Sequence, residues 1–285
     1  MSGNASTRRG FAPQVITQLL DTLFATLPSD GANMVLGLSA LQGSGKTTLA
    51  AQLACASKAR GLDAIALSLD DFYLGRRDRS KLARLIHPLL RTRGVPGTHD
   101  VALLESVLDA LRTARDNPFP RVPRFDKGRD TRLPPSRWRA IRQPPHLIIL
   151  EGWCVGLGAE DRNSLGRPIN ALESSEDSDG RWRRWVNRQL AGNYCRLWQK
   201  LDRLLVLQAP GFDVVQGWRD EQEQVLRARG ARQAMPAHAI SRFVAHTERL
   251  SQHALNSLPA RADVLVRLGT RREVRSISAP VRPVA

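Results

Sequence analysis

Two groups of residues in this chain have the types and spacing for phosphate chemistry. One is the run Gln42-Gly43-Ser44-Gly45-Lys46-Thr47-Thr48, and the other is the set of carboxylates Asp70, Asp71 and Glu151, each directly after an apolar stretch. In the first, glycines let backbone N–H groups turn inward onto phosphate oxygens. A helix starting at Lys46 adds its positive end, the lysine reaches the β- and γ-phosphates, and the Thr47 hydroxyl is suited to Mg²⁺. The usual pattern, G-x-x-x-x-G-K-[ST], opens on glycine, whereas Ala40 stands here. A residue with a Cβ fits that position only where φ is negative.

The elements around these residues must place them together. Met34 to Leu38 is a continuous apolar run and reads as a buried strand feeding the glycine turn. A helix follows from Lys46 to about Arg60, with Gly61 as its C-terminal cap. Asp63 to Leu69 is a second strand ending at Asp70-Asp71-Phe72-Tyr73, and His146 to Leu150 is another, ending at Glu151-Gly152-Trp153. In open parallel sheets ligands bind beyond the carboxyl ends of the strands, so Asp70, Asp71 and Glu151 should lie near the phosphate loop. A strand-terminal acid such as Glu151 is where a P-loop protein keeps its second magnesium-organising group.

The rest of the chain alternates in the same way. Residues 13 to 28 carry an apolar face that predicts a helix. Residues 91 to 100 form a loop by their Gly and Pro content, and Asp100 is placed to N-cap the helical pattern that follows. Residues 117 to 145 are rich in Pro and Arg and read as irregular; 158 to 180 read as a polar loop. Trp182, Trp185 and Trp198 lie on one helix or a pair, as packing residues. Strands at 203–207 and 263–268 flank helices at 215–229 and 236–257. This alternation predicts an α/β fold with a parallel sheet and helices on both faces.

Composition narrows the class. No apolar run in the 285 residues approaches the ~20 needed to span a bilayer, which predicts a soluble protein. Arg8-Arg9 lacks the apolar segment of an export signal and reads as a frayed terminus. Cys55, Cys154 and Cys195 share no metal-ligand spacing, which points to a reducing, cytoplasmic setting. The formal charge of +16 raises nucleic-acid binding as an alternative. The arginines are dispersed, however, and no recognition motif accompanies them, so the charge reads as composition around an anion-handling site.

The ordered segments Gln42 to Thr47, Leu67 to Tyr73, Arg93-Gly94-Val95-Pro96-Gly97-Thr98-His99-Asp100, Pro123-Arg124-Phe125-Asp126-Lys127, Glu151-Gly152-Trp153 and Trp218-Arg219-x-Glu221 together resemble the D-glycerate 3-kinase family. More distantly they resemble uridine kinases, pantothenate kinases and phosphoribulokinases. The resemblance spans about residues 34 to 270 and implies the P-loop NTPase fold, with ATP and Mg²⁺ serving phosphoryl transfer to a hydroxyl of a small anionic or hydroxylated molecule. It implies Asp70 as the base, with Asp71 orienting the metal or a neighbour. Glu151 would hold magnesium through water, Asp100 would touch acceptor hydroxyls, and Arg93, His99, Arg124 and Lys127 would pair with a substrate carboxylate. Tyr73, Asp126 and Trp153 complete the acceptor set. Arg219, Arg227, Arg229 and Arg232 resemble a lid over ATP, in which Arg227 and Arg229 are the expected nucleotide contacts. Where the family carries Gly-x-Gly-Asp-Arg after its lysine, this chain reads Gly128-Arg129-Asp130-Thr131-Arg132, which leaves the acceptor open between glycerate and another hydroxylated substrate. The whole reads as one P-loop kinase domain over 1–285. It has an N-terminal helix within 1–32, a core over 33–270, acceptor loops at about 91–145, a lid at about 211–235 and a tail over 271–285.

Overall fold

A computed structural model describes residues 10–25, 33–113, 119–228 and 237–279. The chain opens with helix α1 (Pro13–Phe24), whose Leu19, Leu20 and Leu23 are buried. Burying each such leucine contributes about 1.5–3 kcal/mol, enough to hold this peripheral helix against its neighbour. Strand β1 (Met34–Ala40) leads to α2 (Lys46–Ala59). That helix ends as the sequence predicts, with Gly61 at φ +79° and the Leu62 N–H reaching back 3.1 Å to the Ser57 carbonyl. Strand β2 (Ala64–Ser68) runs into a 3-10 turn (Leu69–Phe72), followed by α3 (Arg76–Leu85) and α4 (Val101–Thr113).

The tract at 117–145, expected to be irregular, contains two small hairpins among its described residues. Strands β3 (Arg121–Val122) and β6 (Arg139–Ala140) pair, and between them β4 (Phe125–Asp126) pairs with β5 (Thr131–Arg132). Two-residue strands are too short to leave an alternating pattern in a sequence this rich in proline. Strand β7 (Leu147–Gly152) returns to the sheet. The stretch read as a polar loop holds α5 (Ala171–Glu176). Helices α6 (Arg181–Gln189) and α7 (Cys195–Trp198) are joined by a π-turn at Leu190–Tyr194, and Trp182 and Trp198 are buried as packing residues. Strand β8 (Arg203–Gln208), helices α8 (Val214–Ala228) and α9 (Ala237–Ser257) and strand β9 (Val264–Leu268) follow.

The stretch expected as a tail supplies β10 (Val274–Ser278), antiparallel to β9. The central sheet therefore runs β10-β9-β8-β1-β7-β2, parallel except at β10, and helices flank it. Strands β1 and β7 are buried at every residue, as central parallel strands require, while β2 at the edge buries alternate positions. Among the described residues no helix is long and apolar enough to cross a membrane.

Candidate active site

Three neighbouring strands deliver the chemistry-bearing residues to one end of the sheet. β1 leads into the phosphate loop, β7 carries Glu151 one residue before its end, and β2 runs into the 3-10 turn that holds Asp70. In register, Glu151 lies opposite Leu38 on one side and Ser68 on the other. Ala40 is the last residue of β1, is paired with Leu207 and has no positive φ. A Cβ is therefore accommodated there, which explains how alanine replaces the usual glycine.

The loop itself cannot carry a side chain at Gly43. Its φ is +79°, and an added Cβ would lie 2.7 Å from the Trp218 Cβ on α8. The first turn of α2 has no side-chain cap and no acidic residue, so its N–H groups are free for an anion. Gln42 and Ser44 are buried, and both amide atoms of Gln42 and the Ser44 hydroxyl lack a partner among the described residues. Orphaned polar groups around a helix N-terminus fit a bound nucleotide phosphate. Lys46 is half-buried, and Thr47 and Thr48 are exposed. The Thr47 hydroxyl donates to Glu151 Oε1 at 2.9 Å, and Glu151 is itself buried. A hydroxyl beside a buried carboxylate suits Mg²⁺, which keeps several waters and takes few protein ligands.

Arg272 closes this side. It sits at φ +65° in the β9–β10 turn, donates from Nε to the Gly43 carbonyl at 2.6 Å, pairs with Glu221 at 2.6 Å and lies 5.0 Å over the Trp218 ring.

Asp70 and Asp71 diverge. Asp70 Oδ2 accepts from Lys127 Nζ at 2.6 Å. Burial opposes its ionisation, but the Lys127 ammonium, with Lys46 behind it, outweighs that and holds the carboxyl well below the ordinary range. Asp71 Oδ1 instead accepts the Phe125 N–H at 2.9 Å and so tethers β4; burial and the Asp70 charge push its carboxyl up.

The loop at 93–100, expected to serve the acceptor, is stitched to the segment after Asp70. The Leu74 N–H donates to the Thr98 carbonyl at 2.9 Å and the Asp100 N–H to the Phe72 carbonyl at 2.7 Å. Asp100 is the N-cap that the sequence predicts, accepting from Leu103 N at 3.1 Å, while its other oxygen takes Arg132 at 2.9 Å. Arg93 donates to Asp130 at 2.5 Å, and Asp130 also pairs at 2.5 Å with buried Arg79. Arg79 in turn donates to the Leu74 and Arg91 carbonyls. Trp153 sits behind this loop, donating from Nε1 to the Gly94 carbonyl at 3.1 Å, so it positions the loop from its buried side.

His99, expected to pair with a substrate carboxylate, is buried, and burial pushes its pKa down to about 4, so it meets a partner as a neutral hydrogen-bonding ring. Asp126, expected at the acceptor, accepts the N–H groups of Gly128 and Arg129 on Oδ1, both at 3.0 Å, within the β4–β5 turn. Arg124 is exposed, on the Asp71 side. Arg227 falls on α8 with its side chain outside the described residues, and Arg229 and Arg232 lie outside them altogether. Arg219 lies on α8, within the stretch expected as a lid. It feels the charge of Asp70, pairs with Glu223 at 2.6 Å, and its Nε is buried with no partner among the described residues. Sequence reasoning gave no role to Arg79, Asp130, Arg132, Tyr194 or Arg272.

No protein-family model matches the chain. Among curated proteins it is 34% identical over 245 residues to the uncharacterized kinase mug58 of Schizosaccharomyces pombe, covering 81% of this chain and 84% of the relative. It is 30% identical over 205 residues to the chloroplastic D-glycerate 3-kinase of Arabidopsis thaliana, covering 69% of this chain and 42% of that one. Among solved structures, the D-glycerate 3-kinase of Cryptococcus neoformans superposes with a TM-score of 0.76 at 23% identity, covering 94% of this chain and 100% of that one. The YGR205w protein superposes at 0.70 and 24% identity, covering 93% and 95%. These two structural likenesses speak for the fold.

Proposed function

The chain belongs to the D-glycerate 3-kinase-like P-loop kinases, and from that premise we propose that it transfers the γ-phosphoryl group of ATP to a hydroxyl of a small carboxylate-bearing molecule, D-glycerate being the favoured acceptor. The observation that carries this reading is the Asp70–Lys127 pair, 2.6 Å apart, with Arg93 and Arg132 on the same acceptor segments and the phosphate loop on the next strand but one. A base paired with one cation, with further cations on the adjoining segments, suits an acceptor that brings both a hydroxyl and an anion.

Asp70 takes the proton of the attacking hydroxyl as the new O–P bond forms and the bond from the γ-phosphorus to the bridging oxygen breaks, releasing ADP. In the free protein Lys127 holds Asp70 in its weakly basic form. An incoming carboxylate competes for Lys127, and that exchange returns basicity to Asp70 when an acceptor is present. Such a base contributes about 10²- to 10⁴-fold. Lys46 and the N–H groups of the phosphate loop neutralise charge on the transferred group, and Arg219 adds to this from α8. Thr47, with Glu151 acting through water, would hold Mg²⁺, whose chemistry there is to neutralise the β- and γ-phosphate oxygens.

The test is ADP release at saturating Mg·ATP across D-glycerate, L-glycerate, nucleosides, pantothenate and sugar phosphates. Turnover with D-glycerate, with 3-phosphoglycerate identified by ³¹P NMR, is expected. Absence of acceptor-dependent turnover on the whole panel, or a clear preference for a nucleoside, would sink the glycerate assignment.

A further inference from the structure

The chain contains two tyrosines, and both lie against His99. Tyr73 stacks on the imidazole with ring centroids 4.3 Å apart, and Tyr194 places its hydroxyl 2.7 Å from Nδ1. Tyr194 is fully buried and ends the π-turn between α6 and α7, an irregularity that nature concentrates at functional sites. Its oxygen accepts the Gly97 N–H at 2.9 Å, and the main-chain N–H of His99 also faces it.

Proton bookkeeping then leaves little choice. A phenol has one proton to donate. With its oxygen already accepting main-chain N–H groups, the one acceptor for that proton among the described residues is His99 Nδ1. A proton on Nδ1 would strand the phenolic proton in a buried site without an acceptor. The ring is buried and neutral, so its single proton belongs on Nε2. Nε2 is buried and has no partner among the described residues, and the ring stands within electrostatic reach of Asp70.

We infer that Tyr194 is a positioning residue that fixes His99 in the tautomer protonated at Nε2, and that this N–H donates a hydrogen bond to an oxygen of the acceptor substrate. The consequence is specificity. A site built to donate at that point rejects an analogue that offers N–H or a methyl group there, because a buried donor is then left unpaired. The substrate class it selects is a small polyoxygenated molecule with a carboxylate or hydroxyl oxygen next to the phosphorylated hydroxyl. This assignment rests on the small-molecule kinase reading above.

The experiment pairs ¹⁵N NMR of histidine-labelled protein with kinetics. His99 signals are identified by their loss in His99→Gln. In the native protein the ring should show a protonated Nε2 and a bare Nδ1. In Tyr194→Phe, which keeps the buried ring, the signals should move toward a tautomer mixture, and the acceptor KM should rise about five- to tenfold while the ATP KM stays within about twofold. If Tyr194→Phe fails to fold, His99→Gln, which retains an N–H donor, and His99→Phe, which does not, decide the matter: the glutamine variant should keep the lower acceptor KM. Equal acceptor KM in that pair, or an unchanged acceptor KM in a folded Tyr194→Phe, overturns the inference. So does an Nδ1-protonated ring, whatever the acceptor proves to be, whereas a silent acceptor panel overturns the preceding functional reading instead.

Discussion

Around the phosphate loop the polar groups are mainly main-chain amides of one short turn, carried by a buried strand and backed by α2 and α8. Around the 93–100 loop, proposed to serve the acceptor, they are side chains drawn from separate segments: Arg79 from α3, Arg93 and His99 from the loop itself, Lys127, Asp130 and Arg132 from the β4–β5 hairpin, and Tyr194 from the π-turn. Backbone donors on a rigid strand recognise what all phosphoryl donors share. Side chains held by other side chains can be re-specified one at a time, so the acceptor side is where related kinases can diverge while the sheet stays the same.

Substitutions on the two sides should therefore fail differently. The largest loss is expected from Asp70→Asn, which keeps the shape but removes the base; kcat should fall about 10²- to 10⁴-fold with ADP affinity by calorimetry unchanged. Residual activity above about a tenth of native would reassign the base. Asp130→Ala removes the partner of Arg93 and of buried Arg79, and should raise the acceptor KM more than the ATP KM and cost about 1–3 kcal/mol of stability in denaturant titration. A parallel rise in both constants would dissolve the distinction drawn here.

A third test uses acid. The pKa of His99 is lowered from 6.5 to about 4 by burial, so between those values the unfolded chain binds the proton and the folded protein does not. Stability is thus fully present above about pH 6.5 and is lost as pH falls toward 4, by about 1–2 kcal/mol at pH 5 for one such group. His246 behaves the same way. His99→Gln should flatten the fall in Tm between pH 7 and pH 5, and an unaltered slope would place the acid sensitivity elsewhere. The smallest effect belongs to Arg272→Ala, for which the ATP KM should rise about threefold and the acceptor KM should not move, because only one of its hydrogen bonds goes to the phosphate loop.

The same contrast explains what could be read from the sequence. The phosphate loop, the helix after it, the Gly61 cap, the Asp100 N-cap and the convergence of Asp70 and Glu151 on one end of the sheet follow from local rules: spacing, periodicity, and the carboxyl ends of parallel strands. The Asp130 knot did not, because Arg79 and Asp130 are 51 residues apart and no periodicity links them. Nor did Arg272, in a stretch whose proline content masked a strand. Tyr194 left no local signal, because its contacts to Gly97 and His99 span some 95 residues of chain. The neutrality of His99 could not be read at all, because it depends on burial that only the packed fold creates.

The turn between β9 and β10 binds two bodies that the chain order keeps far apart, the phosphate loop and α8. Arg272 holds the Gly43 carbonyl, the Trp218 carbonyl and Glu221 at once. Local opening of the phosphate loop therefore exposes α8 as well, and the two should behave as one cooperative unit in native-state hydrogen exchange. Amides near Gly43 and along Trp218–Glu221 should share a single opening free energy that rises with ADP, and Arg272→Ala should split it into two.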